Sequence, residues 1–195
     1  MPKTQSNPIA IGFEAADFAL PDAQGRLHTL AEFADKPALL VAFISNRCPF
    51  VVLLREAFAQ FGREYEAKGL QIVAINSNDA AAHPEETLER LGQEAGQYGY
   101  TFPYLKDTSQ EVAKAYGAAC TPDFFLFDAG RKLVYHGQFD DARPGNGKDV
   151  TGDDLRAAVD AVISGAPPAG NQIPSIGCNI KWEPGNEPSW SSQAA

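Results

Sequence analysis

Two short, uninterrupted apolar runs constrain this chain more than any other feature in it. Ala38-Leu39-Leu40-Val41-Ala42-Phe43-Ile44 and Leu70-Gln71-Ile72-Val73-Ala74-Ile75 are too short for buried helices and apolar at nearly every position, the pattern of strands covered on both faces. Between them Phe50, Leu53, Leu54, Ala57, Phe58, Phe61 and Tyr65 recur at the three-and-four spacing of a buried helical stripe, which starts at Pro49 and stops at Gly69. Strand, helix and strand in this order form a parallel crossover, and that puts the helix on one face of a sheet.

Further elements extend this unit. Pro84-Glu85-Glu86 suits a first helical turn, with proline where no N–H is needed and acids at the positive dipole end, so a helix is predicted from there to Glu94 or Tyr98. Thr108 or Ser109 caps a helix over Gln110 to Tyr116, closed by Gly117. Phe124 to Phe127 and Leu133 to His136 flank Asp128-Ala129-Gly130-Arg131 as an antiparallel hairpin. Thr151, with Asp154 three residues on, opens the last helix, which ends near Ser164-Gly165. Residues 9–36 carry the turn Asp22-Ala23-Gln24-Gly25 and add an N-terminal hairpin. Residues 166–195 hold five prolines and two tryptophans and read as extended, with Ile173, Ile176, Ile180 and Trp182 packed against the body. The expectation is an α/β domain over 1–165 with an extended C-terminal tail, 166–195, docked on it.

With 195 residues, 44% of them hydrophobic and 21% charged, the chain has apolar material for one buried core. An excess of 25 acids over 16 bases leaves −9, with no basic stripe, which disfavours a nucleic-acid partner. No run reaches the ~20 apolar residues of a membrane span, and residues 1–8 lack the apolar stretch of a signal peptide, so a cytoplasmic protein without membrane contact is expected. Cys48, Cys120 and Cys178 are odd in number and widely spaced, unlike a secreted disulfide scaffold, and the cysteines and histidines do not fall at metal-ligand spacing. Neither metal nor cofactor is expected.

Cys48 lies between the first apolar run and Pro49. Its sulfur therefore sits at the start of the long helix, where unpaired N–H groups and the positive dipole end favour thiolate, and Arg47 adds positive charge. A thiolate so placed is a nucleophilic or redox cysteine. The competing reading is an inert cysteine acting as a small hydrophobe; a strand-Cys-Pro-helix junction favours reactivity because it puts the side chain at a mouth.

Phe43-Ile44-Ser45-Asn46-Arg47-Cys48-Pro49-Phe50-Val51 resembles the active-site segment of the thioredoxin fold, and Thr121-Pro122-Asp123-Phe124-Phe125-Leu126-Phe127 resembles its cis-proline strand. Phe102 to Ser109, with Ala115-Tyr116-Gly117, resembles the corresponding stretch of peroxiredoxins. Gly177-Cys178-Asn179-Ile180-Lys181-Trp182 with Pro184-Gly185 resembles a peroxiredoxin-like branch of the alkyl hydroperoxide reductase and thiol-specific antioxidant superfamily. Together these stretches imply a thioredoxin-like three-layer α/β/α sandwich, with the N-terminal hairpin and the C-terminal tail as additions. Departures are as informative. Val51 stands where thioredoxin has its second cysteine, Ala42 where it has a buried acid, and Arg47 where it has a tryptophan. Of the peroxiredoxin pattern P-x-x-x-T-x-x-C, Val41 replaces the proline and Ser45 the threonine, keeping a hydroxyl for a peroxide oxygen or the thiolate. No arginine matches the one that polarises peroxide, which leaves Arg47 or Arg143 as substitutes.

The resemblance brings Thr121 and Pro122, taken as cis, beside Cys48. On that basis Cys120 is a candidate second sulfur that resolves a mixed disulfide, and equally a filler at a strand start. Cys178, on a tail held by Trp182, leans to a structural role. His28 and His136 read as hydrogen-bonded strand residues, and Asp140-Asp141 as a solvated loop. Three functions are compatible with this pattern. The first and expected one is a peroxiredoxin-like, thiol-dependent antioxidant oxidoreductase in which Cys48 attacks a small hydroperoxide and an external thiol reductant restores it. The second is a thiol-disulfide reductase or isomerase using Cys48 and Cys120 on a protein disulfide held by extended backbone beside the cis-proline. The third is a non-enzymatic binding module using the same mouth.

Overall fold

In the computed structural model the described residues are 3–191, so the outermost residues of the two expected units lie outside the description. In chain order the elements are β1 (Lys3–Gln5), β2 (Ala19–Pro21), β3 (Leu27–Thr29), β4 (Ala38–Phe43), α1 (Pro49–Glu66), β5 (Leu70–Asn76), α2 (Leu88–Tyr98), β6 (Tyr104–Lys106), α3 (Glu111–Tyr116), β7 (Cys120–Thr121), β8 (Asp123–Phe127), β9 (Leu133–Gly137), α4 (Asp153–Ile163) and β10 (Ile176–Asn179). Strands β4 and β5 are the two apolar runs, paired in parallel around α1. They form the middle of a five-stranded sheet in the order β6-β5-β4-β8-β9, in which β5 and β6 are parallel and β8 is antiparallel to both β4 and β9.

Strand periodicity divides the core into two. Leu40, Ala42, Ile72, Ala74, Phe124 and Leu126 face one way, onto Phe58 and Phe61 of α1, Leu91 of α2 and Leu155 and Val159 of α4. Leu39, Val41, Phe43, Val73, Phe125 and Phe127 face the other way, onto Ala113 and Tyr116 of α3 and Phe18, Leu20 and Phe33 of the N-terminal segment. Both faces are covered, which is why these strands are apolar throughout, and three layers result. The N-terminal hairpin is the β2–β3 pair around the Asp22–Gly25 turn. The tail returns as β10, antiparallel to β1 on one side and to β7 on the other. Among the described residues no helix is long and apolar enough to cross a membrane.

Five local expectations change. The helix predicted from Pro84 is a single 3-10 turn, Pro84–Glu86, and α2 starts only at Leu88 after an extended Thr87. The reason is that Glu86, instead of facing solvent in a first turn, is fully buried and turned into a polar cluster. Helix α3 is entered through Gln110 itself, in the left-handed region at φ 64°. Helix α4 begins after Gly152 (φ 71°), because Asp140 accepts the N–H groups of Thr151 and Gly152 at 2.8 and 2.7 Å. Asp140 is therefore buried rather than part of a solvated loop. Ile173 is 52% exposed; what docks there is its backbone carbonyl, which accepts Gln138 N–H at 2.8 Å.

Phe58 lies at the centre of the larger half-core, with its ring against Phe102, Phe124 and Phe139 at centroid distances of 5.2, 5.6 and 6.0 Å. Phe58→Ala is expected to lower the unfolding free energy by about 3–5 kcal/mol, measured as a drop in denaturant midpoint with an unchanged slope.

Candidate active site

Cys48 is the N-cap of α1, in extended backbone (φ −68°, ψ 120°), with Pro49 as the first helical residue. This is the junction expected from the strand-Cys-Pro-helix pattern: the helix starts there because proline needs no hydrogen-bond acceptor in the first turn. Its surroundings come from elsewhere in the chain. Antiparallel pairing of β7 and β10 sets Cys178 opposite Thr121 and Asn179 opposite Cys120, and both Thr121 and Cys178 meet the Cys48 sulfur. As a thiol, Cys48 donates to the Thr121 carbonyl at 3.0 Å. As a thiolate it is held by the Cys178 thiol, the Thr121 side chain and the backbone N–H groups of Val51 and Cys178. The Thr121 hydroxyl is buried and has no other partner among the described residues.

These donors lower the Cys48 pKa from 9.0 to about 6, the hydrogen bond from Cys178 contributing most and burial opposing. The same bond drives the Cys178 thiol strongly upward, because losing its proton would leave two sulfur anions in contact, and burial adds to the effect. Ionisation is thus favoured at Cys48 and disfavoured at Cys178. Lys181 favours the anionic state of Cys178. Its ammonium donates to the backbone carbonyl and side-chain oxygen of Asn179, each at 2.7 Å.

The expected second sulfur is elsewhere. Cys120 is fully buried, its thiol points to the Pro122 carbonyl at 3.5 Å, and burial, with Asp123 and Cys48 nearby, drives its pKa well up. Alternation along β7 explains the exchange: Thr121, opposite Cys178, faces Cys48, so its neighbour Cys120 faces away. The sulfur brought to Cys48 is Cys178, which sequence reasoning assigned to structure. The Thr121–Pro122 peptide is cis, as expected.

Three other predicted residues are committed elsewhere. The Ser45 hydroxyl donates to Glu86 Oε1 at 2.5 Å, so its proton is not directed at a peroxide or at the thiolate. Arg47 is hydrogen-bonded to the His83 ring, and Arg143 is tied to the carbonyls of Asp140 and Ala142 at 2.7 Å. Behind the sulfur lies a polar cluster that sequence reasoning missed. Glu86 also accepts Asn46 N–H at 3.1 Å and the amides of Asn76 and Asn78 at 2.6 and 3.2 Å. Lys106, its pKa lowered to about 8 by burial, donates to Asn76 Oδ1 at 2.8 Å. The available signal was the polar run Asn76-Ser77-Asn78-Asp79 directly after an apolar strand, which marks a strand end with something to bind.

The sequence pattern of the AhpC/TSA family matches residues 11–136. The thiol-disulfide oxidoreductase ResA of Geobacillus thermodenitrificans (strain NG80-2) is 29% identical over 130 residues, 67% of this chain and 70% of the relative. The crystal structure of a hypothetical protein from Sinorhizobium meliloti 1021 is similar with a TM-score of 0.93 and 74% identity, covering 93% of this chain and 100% of the other. The thioredoxin domain of a thiol-disulfide oxidoreductase from Bacteroides vulgatus matches at a TM-score of 0.57 and 17% identity, over 76% of this chain and 97% of the other. The three-layer fold is thus thioredoxin-like.

Because the Cys48 pKa is lower folded than unfolded, its ionisation contributes stability that is complete above about pH 9 and is lost as pH falls through about 6. Thiolate ultraviolet absorbance is expected to titrate with a midpoint near 6, and Cys178→Ala is expected to move that midpoint upward. Stability should rise with pH between these limits more steeply in the wild type than in Cys48→Ala.

Proposed function

The chain belongs to the AhpC/TSA family and is a thiol-based oxidoreductase, and on that premise we propose that Cys48 and Cys178 are its redox pair, acting on disulfides. The observation that carries this reading is the β7–β10 pairing, which sets Cys178 opposite Thr121, whose carbonyl lies 3.0 Å from the Cys48 sulfur, with both cysteines in one buried cluster. The Cys48 thiolate attacks one sulfur of a disulfide; that S–S bond breaks, the departing thiolate takes a proton from solvent, and a mixed disulfide remains on Cys48. Its formation removes the anion that held the proton on Cys178, so the Cys178 thiol becomes easier to ionise at the moment it is needed, with Lys181 favouring the anion. Cys178 then attacks the Cys48 sulfur, expels the second substrate thiol and leaves a Cys48–Cys178 disulfide. Two electrons have passed to the substrate, and an external thiol reductant returns them.

A second reading has the same pair reduce a small hydroperoxide, and the Thr121 hydroxyl, which faces the Cys48 sulfur and has no other partner among the described residues, favours it as a donor to the reacting oxygen. Cys48 would take one oxygen as sulfenic acid while the O–O bond breaks and the alcohol leaves. Condensation with the Cys178 thiol would release water and give the same disulfide. Against it stand the commitments of Ser45 to Glu86 and of Arg47 to His83. A binding module alone would leave the lowered pKa of Cys48 without a use.

After one equivalent of oxidant, a non-reducing peptide map is expected to join Cys48 to Cys178 and to recover Cys120 as free thiol. Cys178→Ser is expected to cut turnover by roughly a hundredfold or more while accumulating the Cys48 adduct, and Cys120→Ser to retain activity within about threefold. A Cys48–Cys120 peptide would overturn the assignment. Parallel assays with a disulfide and with hydrogen peroxide rank the two substrates.

A further inference from the structure

Resting on the Cys48–Cys178 pair as the redox centre, we infer that the tail strand β10 restricts the site to low-molecular-weight disulfides and shuts out disulfides carried on an extended polypeptide. A polypeptide is commonly held beside a recessed group by adding its backbone as a strand to a free sheet edge. The backbone nearest Cys48 is Thr121, whose carbonyl lies 3.0 Å from the sulfur. That edge is occupied by β10, with Cys178 opposite Thr121 and Asn179 opposite Cys120, and Ile180 N–H continues the ladder to the Ala119 carbonyl at 3.2 Å. The outer edge of β10 is closed in turn by β1, with Lys3 opposite Cys178 and Thr4 opposite Gly177. Among the described residues β10 is therefore paired on both sides, and the side of β7 that faces it is taken.

The tail is also seated too closely to slide aside. A Cβ on Gly177 would lie 1.9 Å from the Thr121 carbonyl oxygen and 2.5 Å from its carbon, so only glycine allows β10 this near to β7. Beyond it Ile180 is buried in the core, and the Lys181 carbonyl accepts the Asp79 N–H at 2.8 Å and the Gln110 side-chain amide at 2.9 Å. Cys48 is 1% and Cys178 4% exposed, so both sulfurs are recessed, and the narrow cleft between Phe50, Pro122, Arg143 and Ile176 is lined in part by chain neighbours of Cys48, Thr121 and Cys178. A compact disulfide needs no backbone ladder to reach a recessed sulfur, and a polypeptide does.

The test uses the full chain carrying Cys178→Ser, which leaves a mixed disulfide on Cys48 unresolved. Trapping rates are measured with oxidised glutathione and with insulin, each normalised to the same disulfide's rate with free dithiothreitol. Oxidised glutathione is expected to react at least roughly a hundredfold faster. Adding Gly177→Ala, which forces β10 off the edge, is expected to raise the insulin rate at least about tenfold. Comparable rates for the two substrates in Cys178→Ser would overturn the inference and leave the redox pair standing, and this comparison holds even if the glycine variant does not fold. If neither substrate forms an adduct at Cys48, the redox pair itself falls, and the restriction with it.

Discussion

A sulfur anion can be kept in the interior of this protein because two short strands are paired beside it. Burial alone raises a thiol pKa, and Cys48 is nearly inaccessible, so its thiolate exists only through the hydrogen bonds it receives. Of the groups that supply them, the Cys178 thiol, the Cys178 N–H and the Thr121 side chain belong to the two residues that β7 and β10 set opposite each other. Only the Val51 N–H belongs to α1. The helix start places the sulfur, and the strand pairing makes it acidic. The same pairing supplies the partner thiol and occupies the edge on which an extended chain would otherwise lie.

The platform behind the sulfur is polar and buried, an arrangement that is stable only when its groups are matched. Glu86 meets that condition by accepting from Ser45, Asn46, Asn76 and Asn78, which ties the end of β4 and the end of β5 to the 3-10 turn before α2. Asn78 extends the cluster to the tail, since its side-chain oxygen accepts the Lys181 N–H at 2.8 Å. Tail and nucleophile thus rest on one hydrogen-bonded frame. This is also why the hydroxyl of Ser45, one of the residues nearest to Cys48 in sequence, is committed to Glu86.

Much of the architecture was legible because its signals are local. The runs at 38–44 and 70–75, the stripe from Phe50 to Tyr65 and the turn at 128–131 each report burial through a period that neighbouring residues set. The position of Cys48 was legible for the same reason, as a cysteine caught between a strand and a helix-starting proline. Glu86 was misread because an acid after a proline has the same appearance whether it faces solvent or turns inward. Asp140 was misread likewise, as its acceptors serve Thr151 and Gly152 from across a loop. Cys120 was weighed by its proximity along the chain to Pro122 and Cys178 by the residues that hold its tail, whereas a two-residue strand sends adjacent side chains to opposite faces.

By itself the sequence determined the layered α/β fold, the helix that begins at Cys48, and the presence of a cysteine in a setting suited to redox chemistry, because these follow from periodicity, capping and composition within short windows. Only the tertiary structure decided which sulfur lies nearest the Cys48 site, which hydroxyl faces it and which strand lies there. Those outcomes depend on the register between segments far apart in the chain, where a shift of one residue would turn Cys178 away and Cys120 inward.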